Sequence, residues 1–256
     1  MQPQELEPEV EEFFLRLVPH LREEWRGATE EQISRLEMIA GRSLPRFYRW
    51  FLMRMGVSVG PLQFRSLDLS IERILSSYRE GLVDPDPRYL MIGFETDNMM
   101  PLHLFYDFDH PDRDDARVVS MDFYAGPIYE QFDTLREMLT VGQFVGLRIS
   151  RLPQFCVGLF ARETDTLSLL DSAMERLGFS KPTFTGANCA IYERADAAMS
   201  IYIARDDPPS RYASFRLGGS NAGTVRRVLG ALTSDLSLEL KINEWEPPLV
   251  GEPGEA

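Results

Sequence analysis

Cysteine and histidine are scarce in this chain. Cys156 and Cys189 are its only cysteines, and its three histidines are His20, His103 and His110. Two cysteines cannot supply the ligand spacing of a structural zinc site. They can form one disulfide at most, but isolated cysteines are more often buried, reduced thiols that pack as small hydrophobic side chains. We therefore predict two buried thiols, and neither a metal nor another cofactor.

Positive charge is also scarce. The sequence has 40 acidic and 27 basic residues, which gives a formal charge of −13, and only Lys181 and Lys241 among the basic residues are lysines. A nucleic-acid-binding protein needs cationic groups along the phosphate backbone. The composition therefore argues against general nucleic-acid binding. It fits a soluble protein, or a protein whose partner is basic.

Long hydrophobic runs are missing. No apolar stretch approaches the roughly 20 residues that cross a bilayer. The opening residues MQPQELEPEVEE are acidic and lack the apolar segment of a secretory signal. We therefore expect a cytoplasmic protein without membrane contact. The hydrophobic content of 44% is enough for a substantial core, and 256 residues allow one large domain or two of ordinary size.

Helical signals dominate the start of the chain, above all in residues 29–56. Thr29 and Gln32 have the spacing of a capping box in front of an amphipathic stretch. Gly41 suits the left-handed position that ends a helix, and Pro45 suits the first turn of the next one. These signals predict a helical hairpin that ends at Gly56. Further helices are predicted at residues 8–18, 19–25, 69–80 and 129–144.

The periodicity changes after residue 88. Residues 89–94, 102–108 and 117–123 are rich in aromatic and branched side chains, and loops with Asp, Asn and Pro separate them. An antiparallel meander is the simplest arrangement of three such strands. Together with the helices it predicts an α+β domain over residues 1–148, with helices packed on an antiparallel sheet.

A second domain is predicted over residues 149–246. Its periodic segments follow the order β-α-β-β-β-α-β, which predicts a smaller α/β sandwich with helices on one face of a sheet. Thr164 is a candidate N-cap of the first helix, and Gly178 a candidate end. The last residues, 247–256, are acidic and rich in Pro and Gly, and we predict a flexible tail there.

The negative charge lies mainly in the first half. Residues 1–150 contain 26 acidic and 16 basic residues, whereas residues 151–256 contain 14 and 11. Between Glu95 and Asp122 there are eight acidic residues and only two basic ones. This segment contains the predicted strand loops, so acidic loops are the main surface feature that the sequence predicts.

One of these loops has the composition of a metal site. Its sequence DHPDRDD, at residues 109–115, and the preceding Asp107 offer carboxylate oxygens of the kind that calcium and magnesium prefer. The calcium-loop pattern fails because Pro111 takes an acidic position and no glycine makes the sharp turn. We therefore favour a solvated acidic loop.

A glycine-rich segment in the second half also needs an interpretation. The sequence LGGSNAGT, at residues 217–224, follows a predicted strand and opens a helix, and helix N-termini can hold anions. The phosphate-loop pattern lacks its lysine, and Ser220 replaces the second glycine of the dinucleotide pattern. A serine hydrolase of the nucleophile-elbow type would need a histidine after Ser220, where the chain has none. A capped helix start is favoured. An enzyme or small-ligand site between Gly218 and Thr224 is the alternative.

The first half resembles the SUKH superfamily over about residues 10–145. The family pattern has an acidic-led helix with a Leu-Glu pair, then Gly, Leu-Pro, an aromatic-rich helix and Gly. The turn after Gly56 lacks the second glycine often found there, and residues 151–256 have no counterpart in that domain. The matching positions are Glu30, Glu31, Ile33, Leu36, Glu37, Gly41, Leu44, Pro45, Tyr48, Phe51, Leu52 and Gly56, with Phe132, Leu135 and Leu139 in the closing helix.

This resemblance implies an interaction module. Many bacterial members of the superfamily resemble immunity proteins that bind and block a toxin, others are fungal cell-wall regulators, and the family has no shared catalytic residues. We therefore predict a non-enzymatic cytoplasmic protein that binds and neutralises a cognate basic toxin, such as a nuclease. A regulatory scaffold that binds a host enzyme is a further alternative. The predicted partner-binding residues are Glu95, Asp97, Asp107, Asp109, Asp112, Asp114, Asp115 and the strand-tip aromatic Tyr124.

Overall fold

The chain divides into two compact units, residues 1–142 and 143–256. The boundary lies six residues before residue 148, where the sequence predicts it. The computed structural model describes residues 8–62, 64, 66–97, 99, 101–123, 126–161, 166–183, 185–204, 211–236 and 238–247. The predicted flexible tail therefore lies almost entirely outside the described residues.

The first unit begins with four helices, and a fifth lies between its first two strands. The predicted hairpin is confirmed. Thr29 caps the third helix by accepting a hydrogen bond from the Gln32 backbone N–H, while the Gln32 side chain accepts from the Thr29 N–H. Gly41 ends that helix with a φ of 64°. The helices are α1 (Pro8–Leu17), α2 (Leu21–Glu24), α3 (Glu30–Ala40), α4 (Arg46–Met55), α5 (Ile71–Arg79) and α6 (Leu135–Phe144).

An antiparallel sheet of five strands follows the order β1-β2-β3-β4-β5. The predicted meander is confirmed in its three central strands, and the sheet has one further strand at each edge. The strands are β1 (Leu67–Asp68), β2 (Tyr89–Glu95), β3 (His103–Asp112), β4 (Asp115–Met121) and β5 (Tyr129–Phe132).

The helix predicted over residues 129–144 is wrong in its first part, which forms β5. Glu130 accepts a hydrogen bond from Arg117 of β4 at 2.8 Å, and Gln131 donates to Ser120 at 2.8 Å. The Thr134 hydroxyl accepts from the Glu137 N–H, so the helix starts only after this threonine. Pairing with β4 stabilises an extended conformation that local periodicity does not predict.

The core of the first unit joins α4 to the sheet. Trp50 and Tyr48 of α4 are fully buried, and the Tyr48 ring meets the edge of Tyr106 on β3 with centroids 5.2 Å apart. Phe47 lies 5.3 Å from Trp50. The aromatic side of α4 therefore positions the β3–β4 hairpin.

The second unit has the predicted order of elements. Its antiparallel sheet runs β10-β6-β9-β8-β7, and both helices pack on one face. Phe160 and Phe215 stack 4.6 Å apart in this core, and Cys156 and Cys189 are both buried without a disulfide, as predicted. The predicted N-cap Thr164 lies outside the described residues. The elements are β6 (Gln154–Ala161), α7 (Thr166–Arg176), β7 (Cys189–Arg194), β8 (Ala197–Ile203), β9 (Tyr212–Gly219), α8 (Ala222–Leu236) and β10 (Leu240–Glu246), preceded by a π-helical turn at Val145–Ile149.

Among the residues that the structure describes, no helix combines the length and the apolar character needed to cross a bilayer.

Candidate functional site at one end of the first sheet

The predicted acidic residues fall at opposite ends of the first sheet. Glu95 and Asp97 adjoin the connection from β2 to β3, whereas Asp109, Asp112 and Asp114 lie where β3 turns into β4. Because β4, which pairs with β3 from one end to the other, has seven residues and a strand rises about 3.3 Å per residue, the two groups are roughly 20 Å apart. They lie at separate ends of the sheet and are treated as two surfaces.

We call residues 109–114 the hairpin tip. The predicted loop is mostly strand, since pairing continues to Asp112 opposite Asp115, and the left-handed φ of 54° at Arg113 makes the turn. Asp109, Asp112 and Asp114 are exposed there. The turn is held on the body of the unit because the Asp114 carbonyl accepts a hydrogen bond from the Phe47 N–H at the start of α4.

Arginines offset much of the negative charge at the hairpin tip. Arg88 lies 3.3 Å from an Asp109 oxygen, and Arg46 lies 3.7 Å from an Asp114 oxygen. Asp112 has no ion pair within the described residues. The hairpin tip is therefore a surface of mixed charge rather than the acidic surface that the sequence predicts.

Asp107 is not a surface contact, contrary to the prediction. It is 2% exposed and receives two hydrogen bonds from Arg88, at 2.9 and 2.8 Å. His110 Nδ1 lies 2.9 Å from its second oxygen, and the Asp109 N–H donates to its first. Burial raises the pKa of this carboxyl, but these partners outweigh burial and bring the pKa down to about 2. Asp107 orders the base of the hairpin.

Asp115 is also buried, so its predicted role as a partner contact is wrong. It is 3% exposed and accepts hydrogen bonds from the Tyr106 hydroxyl at 2.7 Å and from its neighbour Ala116. Its other oxygen accepts from the Arg136 N–H in the first turn of α6. Burial raises the pKa of Asp115 to about 6 despite these donors. The carboxyl joins β4 to the start of α6.

The opposite end of the sheet is a better candidate. We call it the turn end; it comprises the described residues 95–97, 99, 101–102, 122–123 and 126–128, which the meander brings to the same side. Asp97 is exposed, and its carboxylate accepts a hydrogen bond from the Met99 N–H at 2.9 Å. Glu95 likewise accepts from the Asp97 N–H at 2.8 Å. These bonds fix the Glu95 and Asp97 carboxylates against the backbone of Asp97 and Met99.

Behind the turn end lies a stack of rings. His103 is 3% exposed and stacks on Phe123 with centroids 3.7 Å apart, and Phe94 lies 4.7 Å from it. His103 Nδ1 accepts a hydrogen bond from the Glu95 N–H at 3.0 Å. The guanidinium of Arg73 lies over the Phe94 ring at 3.5 Å. The end of β2 and the start of β3 therefore pack against a cluster of aromatic rings.

Sequence reasoning missed the apolar part of the turn end. Met99 is 90% exposed, and Ile128 at the end of the β4–β5 connection and Tyr129 at the start of β5 are exposed to a lesser extent. Exposed apolar side chains that share one surface are typical of interaction sites. A methionine among polar turn residues is a signal that the sequence already contained. The predicted contact Tyr124 lies outside the described residues.

The described residues offer no metal centre: none of their His, Cys, Asp and Glu side chains form a group of three or more that could hold an ion. Of the hairpin carboxylates considered as metal ligands, Asp107 and Asp115 instead accept the internal hydrogen bonds described above.

The segment between Gly218 and Thr224 has the features of a capped helix start. The Asn221 side chain accepts from the Thr224 N–H at 2.9 Å, and Thr224 is buried. A Cβ at Gly218 would lie 2.7 Å from the Ile149 carbonyl oxygen, and one at Gly219 would lie 2.7 Å from Val225. Close packing thus explains both glycines.

Comparison of the chain with family models and with curated proteins finds no match.

Proposed function

We propose that this protein is a non-enzymatic, cytoplasmic protein of the immunity type, which binds and neutralises a cognate basic toxin through its turn end. The supporting observation is the charge of this surface. Asp68, Glu95, Asp97 and Asp122 lie at this end of the sheet, whereas Arg73, the basic residue described there, is stacked on Phe94. The resemblance of residues 10–145 to the SUKH superfamily supports the same proposal.

The surface suits rapid recognition of a cationic protein. Acidic groups raise the rate at which a basic partner arrives, and complementary charge selects against acidic competitors. Glu95 and Asp97 each accept a hydrogen bond from the backbone two residues ahead, so these two carboxylates are positioned before binding. Preorganisation of this kind reduces the entropy lost on association. A standard interface of about 800 Å² on each partner is enough to cover a toxin's active site.

Co-expression tests the proposal directly. The toxin encoded next to this gene is expressed with and without the protein, and complex formation is followed by co-purification. We expect rescue of growth and a stable complex. Lack of rescue together with lack of a complex would contradict the proposal. A neighbouring gene for a host enzyme, with no toxin, would favour the regulatory scaffold instead.

Two matched substitutions test which end of the sheet makes the contact. Asp97→Asn removes one negative charge and keeps the oxygen that accepts from Met99. Asp112→Asn removes the same charge at the hairpin tip. At low salt we expect the association rate constant to fall by about twofold to tenfold for Asp97→Asn and to stay unchanged for Asp112→Asn. Stopped-flow kinetics at two ionic strengths measures both. A larger loss for Asp112→Asn would move the interface to the hairpin tip.

A further inference from the structure

A pocket of about 350 Å³ opens beside the turn end. Its inner wall includes Met55, which is fully buried, and its rim includes Val57, which is 49% exposed. The rest of the lining is half apolar and half polar: Val59, Phe64, Leu67 and Leu69 against Ser66, Asp68, Ser70 and Thr96. A pocket with this lining favours an apolar group that has a charged or polar neighbour.

The pocket and the turn end are joined. The Thr96 N–H and hydroxyl both donate to the Ser66 carbonyl at 2.7 Å, and both residues line the pocket. β1 pairs with β2 so that Leu67 lies opposite Glu95. Asp68 is part of the lining, and Asp97 follows the lining residue Thr96 directly in the chain.

We propose that this pocket receives one large apolar side chain of the basic partner, of leucine, methionine or phenylalanine size, and that lysine or arginine residues beside it meet Asp68, Glu95 and Asp97. The proposal rests on the proposed function and specifies the partner's contact segment. A volume of about 350 Å³ is near the lower limit of ligand pockets and suits a single side chain rather than a helix.

The surroundings favour a protein over a free small molecule. Met99, Ile128 and Tyr129 are further exposed apolar side chains at the same end of the sheet. Interfaces combine such an apolar centre with a polar rim, and one buried anchor often dominates their affinity. The acidic residues at this end, Asp68 in the lining and Glu95 and Asp97 near it, favour an anchor with cationic neighbours.

The first test uses the toxin. Val57→Lys places a cation at the pocket rim, while the backbone N–H of Val57 that donates to Arg26 is retained. Met38→Lys is the matched control, because Met38 is 74% exposed on α3 and does not line the pocket. We expect the dissociation constant to rise at least about tenfold for Val57→Lys and to stay unchanged for Met38→Lys. Equal affinity of Val57→Lys and the parent would overturn the pocket proposal.

The second test needs no toxin, so it separates the two proposals. The methionine methyl groups of the full chain are labelled with ¹³C, and the acetylated, amidated tripeptides Lys-Leu-Lys, Glu-Leu-Glu and Lys-Gly-Lys are titrated. We expect a saturable shift of the Met55 methyl signal with Lys-Leu-Lys only. No shift with Lys-Leu-Lys, or equal shifts with either other peptide, would overturn the inference. A failed rescue by the parent protein would instead count against the proposed function.

Discussion

At the residue scale, two buried aspartates of the same hairpin have opposite pKa shifts. Both lose solvation, which raises the pKa of a carboxyl group. At Asp107, two hydrogen bonds from the Arg88 guanidinium help to stabilise the charged carboxylate by more than burial destabilises it. The pKa of Asp107 therefore falls to about 2. Asp115 receives donors from Tyr106 and two backbone N–H groups, which only partly offset burial, and its pKa rises to about 6.

These shifts affect stability in opposite pH windows. Asp115 binds its proton more tightly in the folded chain than in the unfolded chain, whose carboxyl has a pKa of 3.8. The unfolding free energy associated with it is therefore highest at low pH and decreases as the pH rises from about 4 to about 6. Asp107 is the reverse case: its contribution is present above about pH 4 and is lost as the pH falls toward 2.

Tyr106→Phe tests the hydrogen bond to Asp115. The substitution removes a donor to a buried carboxylate without changing the ring. We expect the unfolding free energy at pH 7.5 to fall by about 1.5–3 kcal/mol. At pH 5 the loss will be smaller, because Asp115 is then largely protonated and the lost bond is no longer one to a charged group. Urea denaturation at the two pH values measures the difference.

Tyr48→Phe is the matched control. Tyr48 is fully buried beside Tyr106, but its hydroxyl has no hydrogen-bond partner within the described residues. Removing an unsatisfied buried hydroxyl is nearly neutral or stabilising. If Tyr48→Phe were as destabilising as Tyr106→Phe, the loss would come from altered packing and not from the bond to Asp115.

At the element scale, a side-chain hydrogen bond, rather than regular backbone pairing, holds the end of β2 to β3. The register shifts between Met91 and Gly93, and a Cβ at Gly93 would lie 2.7 Å from the Leu69 side chain. Past this bulge the Glu95 N–H donates to His103 Nδ1. A histidine can accept there only when the proton is on its other nitrogen.

We predict that His103 is neutral at pH 7 and carries its proton on Nε2. Burial lowers the pKa of His103, against the opposing effects of Asp122 and Glu95, with Arg73 adding to the decrease. Because the folded pKa is below the unfolded value of about 6.5, this group decreases the stability of the fold as the pH falls below about 6.5. Heteronuclear NMR of the imidazole ring gives both the tautomer and the titration. A pKa above 6.5, or a proton on Nδ1, would contradict the hydrogen bond to Glu95.

At the scale of the whole molecule, both cysteines lie in the second unit. Cys156 is on β6 and Cys189 on β7, and both are buried. Burial raises the pKa of the Cys156 thiol to about 12. A thiol of this kind reacts slowly because the thiolate is the nucleophile.

We predict that a thiol reagent labels neither cysteine in the native protein at pH 8. Both should become reactive as the second sheet unfolds, so labelling in increasing urea reports on the second unit alone. Rapid modification of either thiol without denaturant would show that the surrounding core opens locally.

Much of the local structure could be predicted from the sequence, because caps and periodicity act over a few residues. Thr29, Gln32 and Gly41 define α3 through contacts within one or two helical turns. The order of elements in the second unit was correct for the same reason. Strand β5 was not predicted, since Glu130 and Gln131 are held extended by partners on β4 that lie more than ten residues away in the chain.

The candidate site depended on the tertiary structure. The sequence by itself determined that acidic residues concentrate in the strand loops, that the cysteines are not zinc ligands, and that the chain has alternating helical and extended segments. It did not determine that Glu95 and Asp112 lie at opposite ends of one sheet, or that Arg88 and Tyr106 bury Asp107 and Asp115. These outcomes follow from strand direction and from long-range pairing, which bring together residues that composition and spacing leave unrelated.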